Sequence, residues 1–447
     1  MNVRPDSSAR SRAEPSSPVA GASWEQLSPD DYLESLEPVG WRLGLDRMWK
    51  LTTALGLPQR RFASVHVVGT NGKSSVTRMV AALLEAHGVS AGACLSPHVS
   101  RWTERTQVRG EEIAPEAWAE AVAQVAAAAE GVNRTLEDDD AVTQFEAATA
   151  ATFVALARAR VKAAAIEAGL GGRLDATNTI PSQVTVLTSV GLDHTEWLGG
   201  TELEIAAEKL AVLHDQSTLV LGRVSQEVRE LAERVAGERA ARLIVAPEDP
   251  GPEIELAASG AFQRRNFALA VTAAEAFLGS VDPERVAAVA AGLLVPGRLE
   301  QIAASPPTYV DAAHNPDGAA ALAEALPTLA EGRPVVACLA VLVDKDAPAM
   351  IAALAPVLRA AVCTEIPPQA LLGHGRPGAR SRPAQELADL FQAHGVEAIA
   401  EPNLEPALRR AAEIACGTFA GVLVVTGSHY LIGPARTVQG ALTGGGD

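Results

Sequence analysis

The chain has 447 residues, more than one ordinary core accommodates, so two domains are expected. Its 37 basic and 54 acidic residues leave a net charge of −17, which argues against nucleic acid or an anionic membrane surface as the main partner. Four scattered cysteines (Cys94, Cys338, Cys363, Cys416) without a C-x-x-C pair speak against a zinc site or disulfide framework and suit a reducing cytoplasm, and no run of 18 apolar residues suggests a membrane span.

The first 24 residues are polar, rich in Pro and Ser, and lack an apolar signal core, so they read as a disordered tail. Structure begins with the run Val65, Val67, Val68, which fits a buried strand. From Ser75 the apolar residues Val76, Met79, Val80, Leu83 and Leu84 recur at helical spacing. Between them lies Gly69-Thr70-Asn71-Gly72-Lys73-Ser74-Ser75. The start of a helix leaves N–H groups unpaired and carries partial positive charge, so an anion belongs at this turn. Lys73 adds a mobile cation and the serines a hydroxyl, the elements of a phosphate-binding loop. It is a shortened form, because Val67 stands where the longer pattern requires glycine.

Further along, "SAGACL" leads to Ser96, and an Ala-rich helix covers roughly Pro115 to Glu130. The helix "FEAATAATFVALARAR" then runs into the strand "VKAAAIEAG", which ends at Glu167, and "QVTVLTSV" gives another strand running out to Asp193 and His194. Alternating strands and helices indicate a parallel sheet covered on both faces, with ligands at the carboxyl ends of its strands. Lys73, Ser96, Glu167 and His194 stand at four such ends. Past "PGRLE" a second series of strands and helices follows, "TYVDAA", "PVVACLAVL" and "GVLVVTGS" among them. The expected fold is therefore α/β: a phosphate-loop, mostly parallel-sheet domain over 25–297, then a smaller Rossmann-like α/β domain over 298–447. Pro296 and Gly297 interrupt the helical pattern at the boundary.

The motifs "HVVGTNGKSS", "LSPHVSRWTER", "FEAATAATF", "IEAGLGGRLDATN", "LDHTEWLGGT", "AAEKLA", "PGRLE", "DAAHNPDG", "LVDKD" and "VTGSHY" stand in the order seen in folylpolyglutamate and dihydrofolate synthases. The segment "LGLDRM", Leu43 to Met48, also resembles that family. The chain thus resembles these members of the Mur ligase superfamily from about Trp41 onward. The resemblance implies ATP-dependent joining of L-glutamate to a dihydropteroate or folate carboxylate through an acyl phosphate. It places ATP on Gly69 to Ser75, with Lys73 on the phosphates and Asn266, Arg298 and Asp311 contacting nucleotide. Two Mg²⁺ sites are implied, one on Ser96 and Glu146, the other on Glu146, His194 and a carbamylated Lys209. Arg173 and Asp175 would face the substrate cleft, and His314 and Asn315 the glutamate pocket. A monovalent cation is a further candidate cofactor. The implied protein is a cytoplasmic monomer whose partners are small molecules.

Two other readings share some of these motifs. A Mur-type ligase acting on a peptide or cell-wall precursor would be expected to carry an N-terminal nucleotide-sugar domain, for which little sequence precedes Lys73. A nucleotide sensor without catalysis would need the loop but not Glu146, His194 and Lys209 together.

Overall fold

The structure, a computed structural model, describes residues 23–36, 44–137, 140–371 and 378–444. Most of the expected tail, together with Trp41 and Leu43, lies outside these residues. Trp24, counted in the tail, instead begins a 3-10 turn over Trp24–Gln26. Its indole donates to Glu130 at 3.3 Å and packs against the first core.

Two sheets organise the chain. The first contains β1 (Ala63–Val68), β2 (Ala91–Cys94), β3 (Thr106–Val108), β4 (Glu111–Glu112), β5 (Ala163–Glu167), β6 (Val184–Leu187), β7 (Thr218–Leu221) and β8 (Arg242–Val245). Its order is β4-β3-β2-β5-β1-β6-β7-β8, parallel from β2 to β8 and antiparallel at the β2–β3–β4 edge. The second contains β9 (Glu300–Ala304), β10 (Pro307–Val310), β11 (Val335–Leu339), β12 (Ala360–Cys363), β13 (Glu397–Ala400) and β14 (Val422–Thr426). Its order is β13-β12-β11-β14-β10-β9, with only β9 antiparallel to its neighbour. The chain passes from one sheet to the other through Val295 to Leu299.

Side chains on successive strand residues point to opposite faces. In β5, Ala164 and Ile166 join the core formed with Phe153 of the helix Gln144–Arg158. Ala163 and Ala165 join Val65, Val67, Val76 and Met79 on the other face, under the helix Lys73–Ala86. Fully burying a side chain such as Ile166 stabilises the fold by roughly 1.5–3 kcal/mol, so the register of β5 is strongly fixed. The same alternation carries Glu167, the next residue, to the face from which the phosphate-loop helix springs. β1 lies between β5 and β6, while the chain leaving β1 crosses to β2, one strand beyond β5. This reversal of winding direction opens a crevice at the carboxyl ends of the strands.

Candidate active site

A cleft of about 630 Å³ lies along that edge, lined from both domains. From the first come Gly69 to Ser74, Ser96, Glu146, Glu167, Asp175, His194 and Lys209, and from the second Arg298, His314 and Lys345.

The phosphate loop is stitched to the segment following β6. The Thr70 N–H donates to the Ser189 carbonyl at 2.8 Å, and the Thr188 hydroxyl donates to the Asn71 carbonyl at 2.6 Å. Gly72 has φ +83°, and a Cβ there would lie 2.6 Å from Oδ1 of Asn266, so the loop bends against the helix Ala261–Leu278 only because this residue has no side chain. Asn266 in turn donates to the buried Gln263 at 3.0 Å. Lys73 Nζ lies 3.0 Å from the carbonyl oxygens of Gly69 and Thr70, folded back on its own loop. Burial pushes its ammonium pKa down, against the opposing charge of Glu167. Ser74 faces the cleft, whereas Ser75 turns into the interior and is 2% exposed.

Glu167, not Glu146, is the carboxylate facing this loop. It accepts from the Ser74 hydroxyl at 2.7 Å and from the Ser96 N–H at 3.0 Å. Burial raises its pKa, and the Lys73 charge and the two hydrogen bonds oppose that rise. Glu146 is occupied elsewhere. With Thr143 it forms a capping box at the start of its helix, and both its oxygens lie 3.1 Å from Nε of the buried Arg47. Thr143-Gln-Phe-Glu146 carries the sequence signature of such a box, a signal available without coordinates.

Lys209 is 4% exposed near the end of the helix Glu202–Leu210. Burial, and then the charge of Lys73, push its amine down to about 7. His194 adopts left-handed backbone geometry, φ +53°, unusual for a residue other than glycine. The preceding Asp193 is the polar centre of the domain interface. It receives Lys345 at 2.5 Å and Asn315 at 3.1 Å, with His314 Nε2 at 3.4 Å. Burial alone would raise Asp193; the His314 hydrogen bond and the charges of His194, His314 and Lys345 outweigh it and hold the carboxyl well below the usual range. Asn315 also exchanges amide hydrogen bonds with Asn71, tying the second domain to the phosphate loop. Gly191 lies against the Asp317 carboxylate, which a Cβ there would displace.

The remaining expected residues occupy different surroundings. Arg173 points outward, its side chain 61% exposed and 3.4 Å from Glu208, and so leaves the cleft. Asp175 lines the cleft but is 5% exposed, and it accepts from the N–H groups of Leu170 and Thr177. Asp311 is buried, and its two oxygens each accept from a backbone N–H, of Leu299 and of Ala313, which braces the domain junction. Sequence patterns alone assign no role to Asp193, Lys345, Arg47 or Gln263. Asp193 was within reach as the neighbour of His194, and Lys345 as the lysine of "LVDKD". Among the described residues no three His, Cys, Asp or Glu side chains converge as a metal cage, and no helix is long and apolar enough to cross a membrane.

A phosphate loop at the switch point of one sheet, closed by a second α/β domain that adds cations across the cleft, defines a Mur-type ligase. The chain matches the Mur ligase middle domain over residues 67–244 and the Mur ligase glutamate ligase domain over 297–429. It is similar to the dihydrofolate synthase/folylpolyglutamate synthase of Mycobacterium tuberculosis, 33% identical over 89% of this chain and 90% of that protein. Its fold is similar to that of M. tuberculosis folylpolyglutamate synthase complexed with ADP and AMPPCP, with a TM-score of 0.81, 32% identity and coverage of 89% of this chain and 96% of that one. A bifunctional folylpolyglutamate synthase/dihydrofolate synthase with Mn, AMPPNP and L-glutamate bound gives a TM-score of 0.75 at 26% identity, covering 92% of this chain and 96% of that one. The chain belongs to the folylpolyglutamate synthase/dihydrofolate synthase family.

Proposed function

We propose that the protein joins L-glutamate to the carboxylate of a pteroate or folate at the expense of ATP. The observation that carries this reading is the set of Lys73, Ser74, Ser96, Glu167 and Lys209 at one sheet edge, facing Arg298 and His314 across the cleft. The backbone N–H groups of the loop and Lys73 hold the phosphates of ATP. An oxygen of the acceptor carboxylate attacks the γ-phosphorus, an O–P bond forms, and the bond to ADP breaks. The amine of glutamate, having lost its ammonium proton to solvent, then attacks the acyl carbon, and as the amide forms its second proton leaves with the departing phosphate, which carries off the oxygen it activated. Lys73 and Arg298 counter the charge on the transferring group.

The donors present fit a hard divalent cation: a buried carboxylate with raised pKa, serine hydroxyls, His194 and Lys209 beside the phosphate loop. Mg²⁺ commonly takes one or two carboxylates and completes its shell with phosphate oxygens and water, so no preformed cage is needed. Ser74, Ser96 and Glu167 would hold one ion, and Glu167, His194 and Lys209 a second; when bound, they neutralise phosphate charge. Lys209 suits this as a carbamate, since a buried amine with pKa about 7 supplies the neutral nitrogen that reacts with CO₂.

Leu174, Trp197 and Val343, between 38% and 45% exposed, stand at the cleft mouth and offer apolar surface to a flat aromatic acceptor. Four free cysteines support a reducing, cytoplasmic setting. Purified protein incubated with ATP, Mg²⁺ and L-glutamate is expected to release phosphate only with dihydropteroate or a reduced folate present, and to add glutamate mass to it. Phosphate release with a cell-wall peptide precursor and none with pteroates or folates would refute the reading.

A further inference from the structure

His66 lies in β1, outside the cleft, and takes no part in the chemistry above. It is fully buried in a strand otherwise built of Val, Ala and Ser. Such a group is costly unless hydrogen-bonded, so its partner is informative. Nε2 lies 2.8 Å from Oγ1 of Thr177, also fully buried. Thr177 in turn meets Asp175, through its N–H at 2.9 Å and through its hydroxyl, both on Oδ1, while Oδ2 accepts from the Leu170 N–H at 2.8 Å.

Proton counting fixes the direction of this chain. Burial raises the Asp175 pKa and hydrogen bonds from the Thr177 hydroxyl and the Leu170, Thr177 and Gly169 N–H groups oppose that rise; as the ionised carboxylate these donors suit, it accepts throughout. The single hydroxyl proton of Thr177 is therefore committed to Asp175. The threonine oxygen can only accept from His66, which makes the imidazole the neutral tautomer with its proton on Nε2. Asp175 closes the loop following Glu167 by bonding Leu170 at one end and Thr177 at the other. His66 stands three residues before Gly69, so the chain ties this loop to the strand that carries the phosphate loop.

We propose that His66 is a positioning residue: through Nε2–H, Thr177 and Asp175 it holds the loop 169–178 in register with the phosphate loop, and so sets how the acceptor carboxylate meets ATP. The functional part rests on the cleft being the acceptor site; the tautomer does not. In the full-length protein, ¹⁵N NMR of the histidine rings is expected to show a protonated Nε2 and an unprotonated Nδ1 for His66. The opposite tautomer would overturn the proposal whatever the enzyme's substrate.

Glutamine presents its amide nitrogen where Nε2 stood, and asparagine nearer Nδ1. His66→Gln should keep kcat/KM for the acceptor within about threefold, whereas His66→Asn and His66→Leu should lose about ten- to a hundredfold, with KM for ATP little changed. Equal activity of the Gln and Asn variants per folded molecule, or full activity of the Leu variant, would show a core residue and nothing more. If position 66 tolerates no change, Thr177→Ser against Thr177→Val asks the same question of the hydroxyl, and equal activity there would equally overturn the proposal. Wild-type protein inactive with every pteroate and folate would refute the functional reading, while the ring spectrum still decides the hydrogen-bond chain.

Discussion

Two glutamates reach the same cleft, and both are nearly buried, Glu146 at 4% and Glu167 at 2% exposure. Glu146 opens a helix. Its charge is answered by a helix N-terminus, the Thr143 cap and the Arg47 guanidinium, which also holds Asp140 at 3.1 Å. Glu167 closes a strand. Its partners are a serine hydroxyl, one backbone N–H and Lys73, whose Nζ bonds the carbonyl oxygens of its own loop. Burying a carboxylate is costly, and the two sites meet that cost differently. The first is compensated by a fixed guanidinium and serves the architecture. The second is undercompensated, with its pKa raised chiefly by burial, which suits the cation-binding role proposed for it.

Exchanging each carboxylate for its amide tests this contrast most strongly. Glu167→Gln is expected to lower kcat on the order of a thousandfold, with the thermal midpoint largely kept. Glu146→Gln should stay within about tenfold in activity and destabilise the fold by about 1–3 kcal/mol, because Arg47 retains Asp140. A urea titration beside a phosphate-release assay checks both, and the reverse ranking would return the metal role to Glu146.

A second cut at the same cluster is Lys209→Ala, for which a loss of about a hundredfold is expected, partly restored by added short-chain carboxylates. Wild-type activity should rise with bicarbonate if the amine is carbamylated. An alanine variant that stays fully active removes Lys209 from the site.

Across the domain junction, Arg298→Ala should raise KM for ATP by about tenfold and move the melting temperature by no more than a few degrees, since contacts to phosphate matter chiefly in the closed complex. Unchanged ATP affinity with early melting would make Arg298 a structural partner of the hinge.

The smallest effect concerns acid stability. Burial, assisted by the nearby His214, pushes the His66 imidazole down to about 3. The unfolded chain binds that proton near pH 6.5, so between about 6.5 and 3 it holds more protons than the folded state, and stability falls as pH falls through this window. His66→Gln removes this contribution. Its urea midpoint is expected to drop less than the wild type's between pH 7 and pH 5, and parallel drops would assign the acid sensitivity to other groups.

The alternation of strands and helices and the phosphate loop were legible in the sequence because each rests on local spacing, namely apolar period, glycine position and the residue after a strand; the order of ten motifs was legible only as a resemblance to a known family. Local spacing also exposed Lys73 and Ser74, which lie where a helix must begin. It could not rank Glu146 against Glu167, since both follow apolar residues and differ only in what the folded chain brings opposite them. Arg47 answers Glu146 from 99 positions earlier, and Ser74 meets Glu167 across 93. The outward turn of Arg173 beside Glu208 and the convergence of Lys345 and Asn315 on Asp193 likewise depend on chain segments far apart in number. Sequence by itself determined which chemistry the chain carries and at which strand ends. Only the tertiary structure decided which charges are already compensated, because compensation is set by distances between groups that no local pattern encodes.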